Sequence, residues 1–239
     1  MIDNATLDHQ INKAAFRSAV VLILAGVLSL FFPLDAPPGT FADRVIWLSS
    51  NINFFVVGWI VQIIAMISLA TVFAATAWQI SSTNPLRATV AGTVLLISVV
   101  AFIIPKFIAI WSIPQMVVAS ATVSPDSAVA EQLLQLLNPS LSFSLFTSFD
   151  YLGFWMYAIF SLLIARPLFR LTLSAKIAAV GFAAYGLLFH VVLAGVLTRN
   201  VAQADIGPYM ESIGGLLLVP VISMAVYFRK RTKMAKPPD

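Results

Sequence analysis

The feature that most constrains this chain is a series of apolar runs, each near or beyond the roughly 20 residues that cross a hydrocarbon core. Turn chemistry and charge separate them: Asp35-Ala36-Pro37-Pro38-Gly39-Thr40, Ser81-Ser82-Thr83-Asn84-Pro85, Asn138-Pro139 and Arg166-Pro167-Leu168-Phe169-Arg170. The runs do not alternate with period two, so they do not read as the strands of a barrel. Only 10% of the residues are charged, against about 25% in a soluble domain. The fold class that follows is all-α: a polytopic integral membrane protein with a single bundle of six transmembrane helices. The expected spans are 15–32, 54–78, 88–113, 145–165, 177–197 and 209–228.

The connections carry their own signals. Residues 1–14 are polar, with Asn4, Thr6 and Asp8 as candidate helix caps. A short segment around Trp47 is expected at the membrane interface, and Pro114 is expected to end the third span. In the long connection that follows, Ser124-Pro125-Asp126 reads as an N-cap, a first-turn proline and a first-turn acid. Val129, Leu133, Leu136 and Leu137 would then share the apolar face of a short amphipathic helix. Lys13 and Arg17 precede the first run, but that run ends in Phe31-Phe32-Pro33-Leu34-Asp35 rather than at a small-residue cleavage site, so it is expected to be retained. Trp47, Trp59, Trp78, Trp111 and Trp155 fall near span ends, as in an aromatic belt.

Charge sets the expected orientation. With the N-terminus inside, the inner connections hold Lys13, Arg17, Arg87, Arg166, Arg170, Lys176 and the five basic residues of the tail from Arg229 to Lys236. The outer ones hold only Arg44 and Arg199. That bias places both termini in the cytoplasm. The pI of about 9.6 therefore reports membrane topology and not a nucleic-acid partner. The lipid bilayer is the expected partner, with other integral membrane proteins as further candidates.

Five polar residues fall inside or at the edge of the spans at similar heights: Gln62, Lys106, Asp150, His190 and Glu211. At about 1.5 Å per residue, Lys106 lies roughly 28 Å from the inner marker Arg87, and Asp150 roughly 24 Å from Arg166. An ionisable group deep in a bilayer costs about 2.5–3.5 kcal/mol on insertion scales, so each needs a partner or an exit to water. Lys106 either snorkels to the headgroups or pairs with Asp150, whose short side chain cannot snorkel far. Glu211 either caps its helix or belongs to the same cluster; His190 either bonds a neighbouring carbonyl or acts as a ligand. Thr147, Asp150, Phe154, Tyr157 and Ser161 form one face of the fourth span, and Ala179, Ala183, Gly186, His190 and Ala194 one face of the fifth. These two faces are expected to meet, bringing Asp150 near His190. Pro105, next to Lys106, removes a helix hydrogen bond beside the charge, and Pro220 does so within the sixth span.

The second half of the chain shows a long connection after the third span, an acid early in the fourth (Asp150), a basic connection from Arg166 to Lys176, and a fifth span rich in Gly and Ala from Ala178 to Gly186. In this layout it resembles an uncharacterised bacterial family of six-helix membrane proteins, a domain of unknown function. The sixth span departs from the family pattern, because its acid, Glu211, stands at the beginning rather than late. The resemblance implies an architecture and no activity.

The absence of cysteine excludes disulfides and thiolate metal sites, and two histidines leave no bis-histidine haem pair within the spans. There is no H-E-x-x-H, phosphate-binding lysine loop, dinucleotide fingerprint or G-x-S-x-G elbow, so neither a cofactor nor a metal is implied. The leading expectation is a non-enzymatic accessory, assembly or regulatory subunit of a membrane complex. The alternative is a small-solute or ion-coupled transporter or channel built on the five polar residues. A lipid-modifying enzyme using an acid–histidine pair stands third.

Overall fold

A backbone in hydrocarbon must satisfy its own N–H and C=O groups, and helices do so within one segment. The computed structural model describes residues 4–122 and 125–234 and is all-helical there. Its elements are α1 (Asn4–Ser29), α2 (Phe41–Ser81), α3 (Pro85–Ser120), α4 (Ser127–Leu136), α5 (Leu145–Leu168), α6 (Leu173–Leu197), α7 (Gln203–Gly215) and α8 (Leu218–Met234). Six helical segments are long and apolar enough to cross a membrane, with α7 and α8 together making the sixth. The chain is a multi-pass membrane protein.

The long helices form a closed ring in which α1 packs on α2, α2 on α3, α3 on α5, α5 on α6, α6 on α8 and α8 back on α1. We call the end with α4 and the N-terminus of α5 the loop end, and the opposite one the tail end. Aromatic side chains fill the interior: Phe73 stacks on Phe160 with centroids 5.0 Å apart and meets Tyr157 and Phe182 edge-on. Glycines set the closest helix contacts. A Cβ at Gly186 of α6 would lie 2.7 Å from Leu162 of α5, and one at Gly181 would lie 2.8 Å from Pro220 of α8.

Several boundaries differ from the sequence expectation. Helix α1 begins at Asn4 rather than near residue 15, so Thr6 and Asp8 lie inside it and are not caps; a cap at Asn4 depends on a side chain outside the described residues. The interfacial segment and the second span are one helix, α2, with a kink at Asn51 (φ −123°, ψ 17°). The side chains of Ser49, Ser50 and Asn51 there all donate to carbonyls of the preceding turn, a competition that bends helices. Its start is a capping box between Thr40 and Asp43. Helix α3 does not stop at Pro114 but runs to Ser120. A membrane helix tolerates an interior proline where its surroundings compensate for the lost bond, and Gln115 donates its side-chain amide to the Trp111 carbonyl across that turn.

Helix α4 starts at Ser127, which leaves Pro125 and Asp126 ahead of it; the cap expected at Ser124 lies outside the described residues, as does Lys236 of the tail. The α4 face turned inward is Ala130, Leu134 and Leu137, whereas Val129, Leu133 and Leu136 point outward. Trp59 is not a belt residue: it is buried and donates its indole N–H to the Leu34 carbonyl at 3.1 Å.

The sixth span breaks between α7 and α8. Pro220 has no N–H to give to Leu216, and Gly214-Gly215 precede it, so the chain tightens into i→i+3 bonds through Leu216, Leu217 and Val219. This break positions the site. Helix α8 packs on both α6 and α1, but α7 leans onto α6. The loop end of the ring therefore opens between α1 and α7.

Candidate functional site

Lys106 stands on α3 one residue past Pro105, and Asp150 on α5 in the second turn after the Ser144 N-cap. The two helices approach closely because residue 153 is glycine: a Cβ there would lie 2.7 Å from the Phe102 ring. Ser98 locks the crossing by donating to the Gly153 carbonyl at 2.8 Å. Two turns further along α3, Lys106 Nζ lies 2.9 Å from Asp150 Oδ1, with side-chain exposures of 9% and 22%. The lysine does not snorkel; it is held inside the bundle. Its ammonium also lies 4.7 Å from the Phe102 centroid and 5.9 Å from that of Trp59, contacts worth about 0.5–2 kcal/mol each depending on desolvation.

The pair is asymmetric. The ammonium is enclosed by one carboxylate and two rings, whereas Asp150 lines the opening between α1 and α7 and its second oxygen takes no hydrogen bond from the described chain. That opening is a cleft of about 1490 Å³. Its lining is graded. Ser140, Ser142, Thr147, Asp150, Gln203 and Glu211 gather at the loop end, while Leu22, Leu69, Leu218, Val221 and Ile222 continue it toward the middle of the bundle.

Of the five polar residues expected to cluster, the structure joins Lys106 to Asp150 and sets Glu211 on the same cleft. Glu211 does not cap the span, since α7 starts at Gln203; it is exposed and makes no ion pair or hydrogen bond within the described residues. Gln62 is half-buried on α2, likewise makes no hydrogen bond there, and does not line the cleft. His190 lies elsewhere. Its Nδ1 is 2.7 Å from the Gly186 carbonyl and its Nε2 accepts from the Trp155 indole at 3.3 Å, which fixes the neutral tautomer with the proton on Nδ1.

The expected meeting of Asp150 with His190 therefore does not occur, for a reason of azimuth. Trp155 is five residues from Asp150, about 140° round the helix. Helix α6 packs on the side of Trp155, Ala158 and Leu162, while the polar stripe of α5 turns toward α3 and the cleft. Ala194, at the end of the expected small-residue stripe, is exposed.

Two polar assemblies had no place in the sequence reading. At the loop end, Arg44 Nε contacts Asp35 Oδ1 at 2.8 Å, Arg44 Nη1 donates to the Leu134 carbonyl at 3.1 Å, and Ser140 donates to Asp35 Oδ2 at 2.6 Å. This clasp ties the α1–α2 loop and the start of α2 to the end of α4. At the tail end, Trp78 donates to Asp8, and Tyr227, Gln79 and Asn12 form a chain joining α8, α2 and α1. The one signal for the clasp was Arg44 itself, the single basic residue between Arg17 and Arg87, standing nine residues after Asp35.

No protein-family model, curated protein or solved structure matches the chain. The family resemblance rests only on the layout that suggested it.

Proposed function

We propose that the protein is a small ion-coupled transporter or solute-binding membrane protein whose site is the Lys106–Asp150 pair opening on the cleft. The observation that carries this reading is the position of Asp150: a carboxylate paired on one oxygen, open on the other, at the polar end of a large graded cavity. A buried ion pair adds little stability over an apolar pair of equal volume, whereas one that lines a cavity can exchange its partner for a solute or a proton. The tightened i→i+3 turn between α7 and α8 supports the same reading, because such a stretch within a helix often marks a functional hinge.

The distribution of basic residues supports both termini in the cytoplasm, and hence the cleft and α4 at the outer face; a bacterial cytoplasmic membrane is what the family resemblance implies. The outward row of Val129, Leu133 and Leu136 suits α4 to lying on the bilayer surface. Proteoliposomes adsorbed on a solid-supported membrane test the function. A panel of small solutes, applied with and without a pH gradient, should evoke a current that Asp150→Asn abolishes. Absence of a current for every solute, or a full current in the variant, would count against it.

The accessory-subunit reading draws on a different observation. Helix α1 packs on α2 and α8, while Leu22, Ile23 and Val27 line an open slot that a partner's transmembrane helix could occupy. Co-purification of a stoichiometric partner from native membranes in mild detergent, with loss of the partner on Gly26→Phe, would favour it.

A further inference from the structure

We propose that the cleft between α1 and α7 takes a small amphipathic cation, with Glu211 as the counter-ion of its head group. The proposal rests on the cleft being the functional site, and it names the class of molecule that occupies it.

Three observations lead there. First, the cavity has two zones: polar side chains at the loop end and aliphatic ones toward the middle of the bundle. That gradient matches a molecule with a polar head and an apolar body. A volume of about 1490 Å³, against the roughly 300–1,000 Å³ of common small-molecule sites, leaves room for a body of several rings or a chain.

Second, the charged residues that line the cleft, among those described, are Asp150 and Glu211, both acids. Asp150 already holds Lys106 at 2.9 Å. Glu211 has no such partner in the described chain. Exposed at the polar end of the cleft, the Glu211 carboxylate is open to pairing with a bound cation. An anionic head group would instead meet two carboxylates and no available cation.

Third, the wall around Glu211 is bare. Gly207 and Gly214 stand four residues before it and three after, so they share its face of α7, and Gly26 lies across the cleft on α1. A Cβ added at any of the three would meet nothing within 4 Å. These glycines are not demanded by helix packing, unlike Gly153, Gly181 and Gly186, whose added Cβ atoms would collide. Their effect is to leave room beside the carboxylate for a bulky head.

The test uses two probes of the same shape and opposite charge, tetraphenylphosphonium and tetraphenylborate, with the full-length protein in lipid nanodiscs and empty nanodiscs as the reference for partitioning. Wild-type protein should bind tetraphenylphosphonium saturably above that reference, and tetraphenylborate should show no protein-dependent excess. Glu211→Gln should weaken tetraphenylphosphonium by about tenfold or more, through loss of the coulombic attraction of one carboxylate beside a low-dielectric wall. Gly207→Leu, which keeps the charge and fills the space, should weaken it comparably. Equal protein-dependent binding of the two probes, or an unchanged affinity in Glu211→Gln, would overturn the proposal. A solute-evoked current from a neutral or anionic compound, without tetraphenylphosphonium binding, would also overturn it while leaving the transport reading standing. Saturable binding that depends on Glu211 but produces no current for any solute would uphold it and remove transport.

Discussion

Among the described residues, two buried ion pairs of nearly equal length have different surroundings. Arg44 and Asp35 meet at 2.8 Å with both side chains nine-tenths buried, and the pair is knitted into its surroundings by the Leu134 carbonyl and the Ser140 hydroxyl. Lys106 and Asp150 meet at 2.9 Å through a single hydrogen bond, with aromatic rings behind the ammonium and a cleft in front of the carboxylate. The first joins elements far apart in the chain and leaves both carboxylate oxygens engaged; the second leaves one oxygen open. Burial and charge are the same in kind. What separates a structural staple from a reactive site here is whether a partner can be exchanged.

The comparison predicts unequal responses to mutation. The largest should come from Arg44→Ala, which strands Asp35 and releases the end of α4. A loss of about 3–5 kcal/mol is expected for breaking one side of such a pair, read as a lowered unfolding midpoint in detergent. Hydrogen exchange should rise across residues 134–140. A smaller loss, about 1–3 kcal/mol, is expected for Lys106→Met, because Asp150 borders the cleft and can be solvated or protonated there. The Lys106→Met/Asp150→Leu double variant should recover most of it, since a matched apolar pair often replaces a buried salt bridge at no cost. The equivalent exchange at Arg44 and Asp35 should recover little, because Leu134 and Ser140 lose their partners too. Equal recovery at both sites would erase the distinction. The smallest effect should be that of Ser161→Ala. Its hydroxyl is fully buried without a hydrogen-bond partner in the structure, so melting should shift by no more than about 0.5 kcal/mol or move upward.

The six spans and the Lys106–Asp150 pair were legible in the sequence for one reason: both depend on height along a helix, and helical rise is constant. Gln62, His190 and Glu211 were placed near the pair on the same argument, and it could not separate them by direction. Azimuth decided instead. His190 faces the Trp155 side of α5 while Asp150 faces α3, and small-residue stripes alone do not show which neighbour a face will meet. The clasp was hidden because a charged pair nine residues apart across a proline-rich loop looks like solvated surface; its burial comes from α4, ninety residues later in the chain. The break that opens the cleft was half visible. Pro220 was noted, but its consequence needed Gly214-Gly215 and the lean of α7 onto α6, which are matters of packing.

The central claim, that Asp150 keeps one oxygen open on the cleft while both oxygens of Asp35 are engaged, can be measured without knowing any substrate. Dicyclohexylcarbodiimide, an apolar reagent that enters the bilayer and adds to protonated carboxyl groups, should be applied to the protein in nanodiscs and the adducts mapped by mass spectrometry. Labelling is predicted at Glu211 and Asp150, faster at Asp150 once Lys106→Met removes its partner, with Asp35 unmodified on the same timescale. Labelling of Asp35 as fast as Asp150, or an Asp150 that stays inert even in Lys106→Met, would contradict the account.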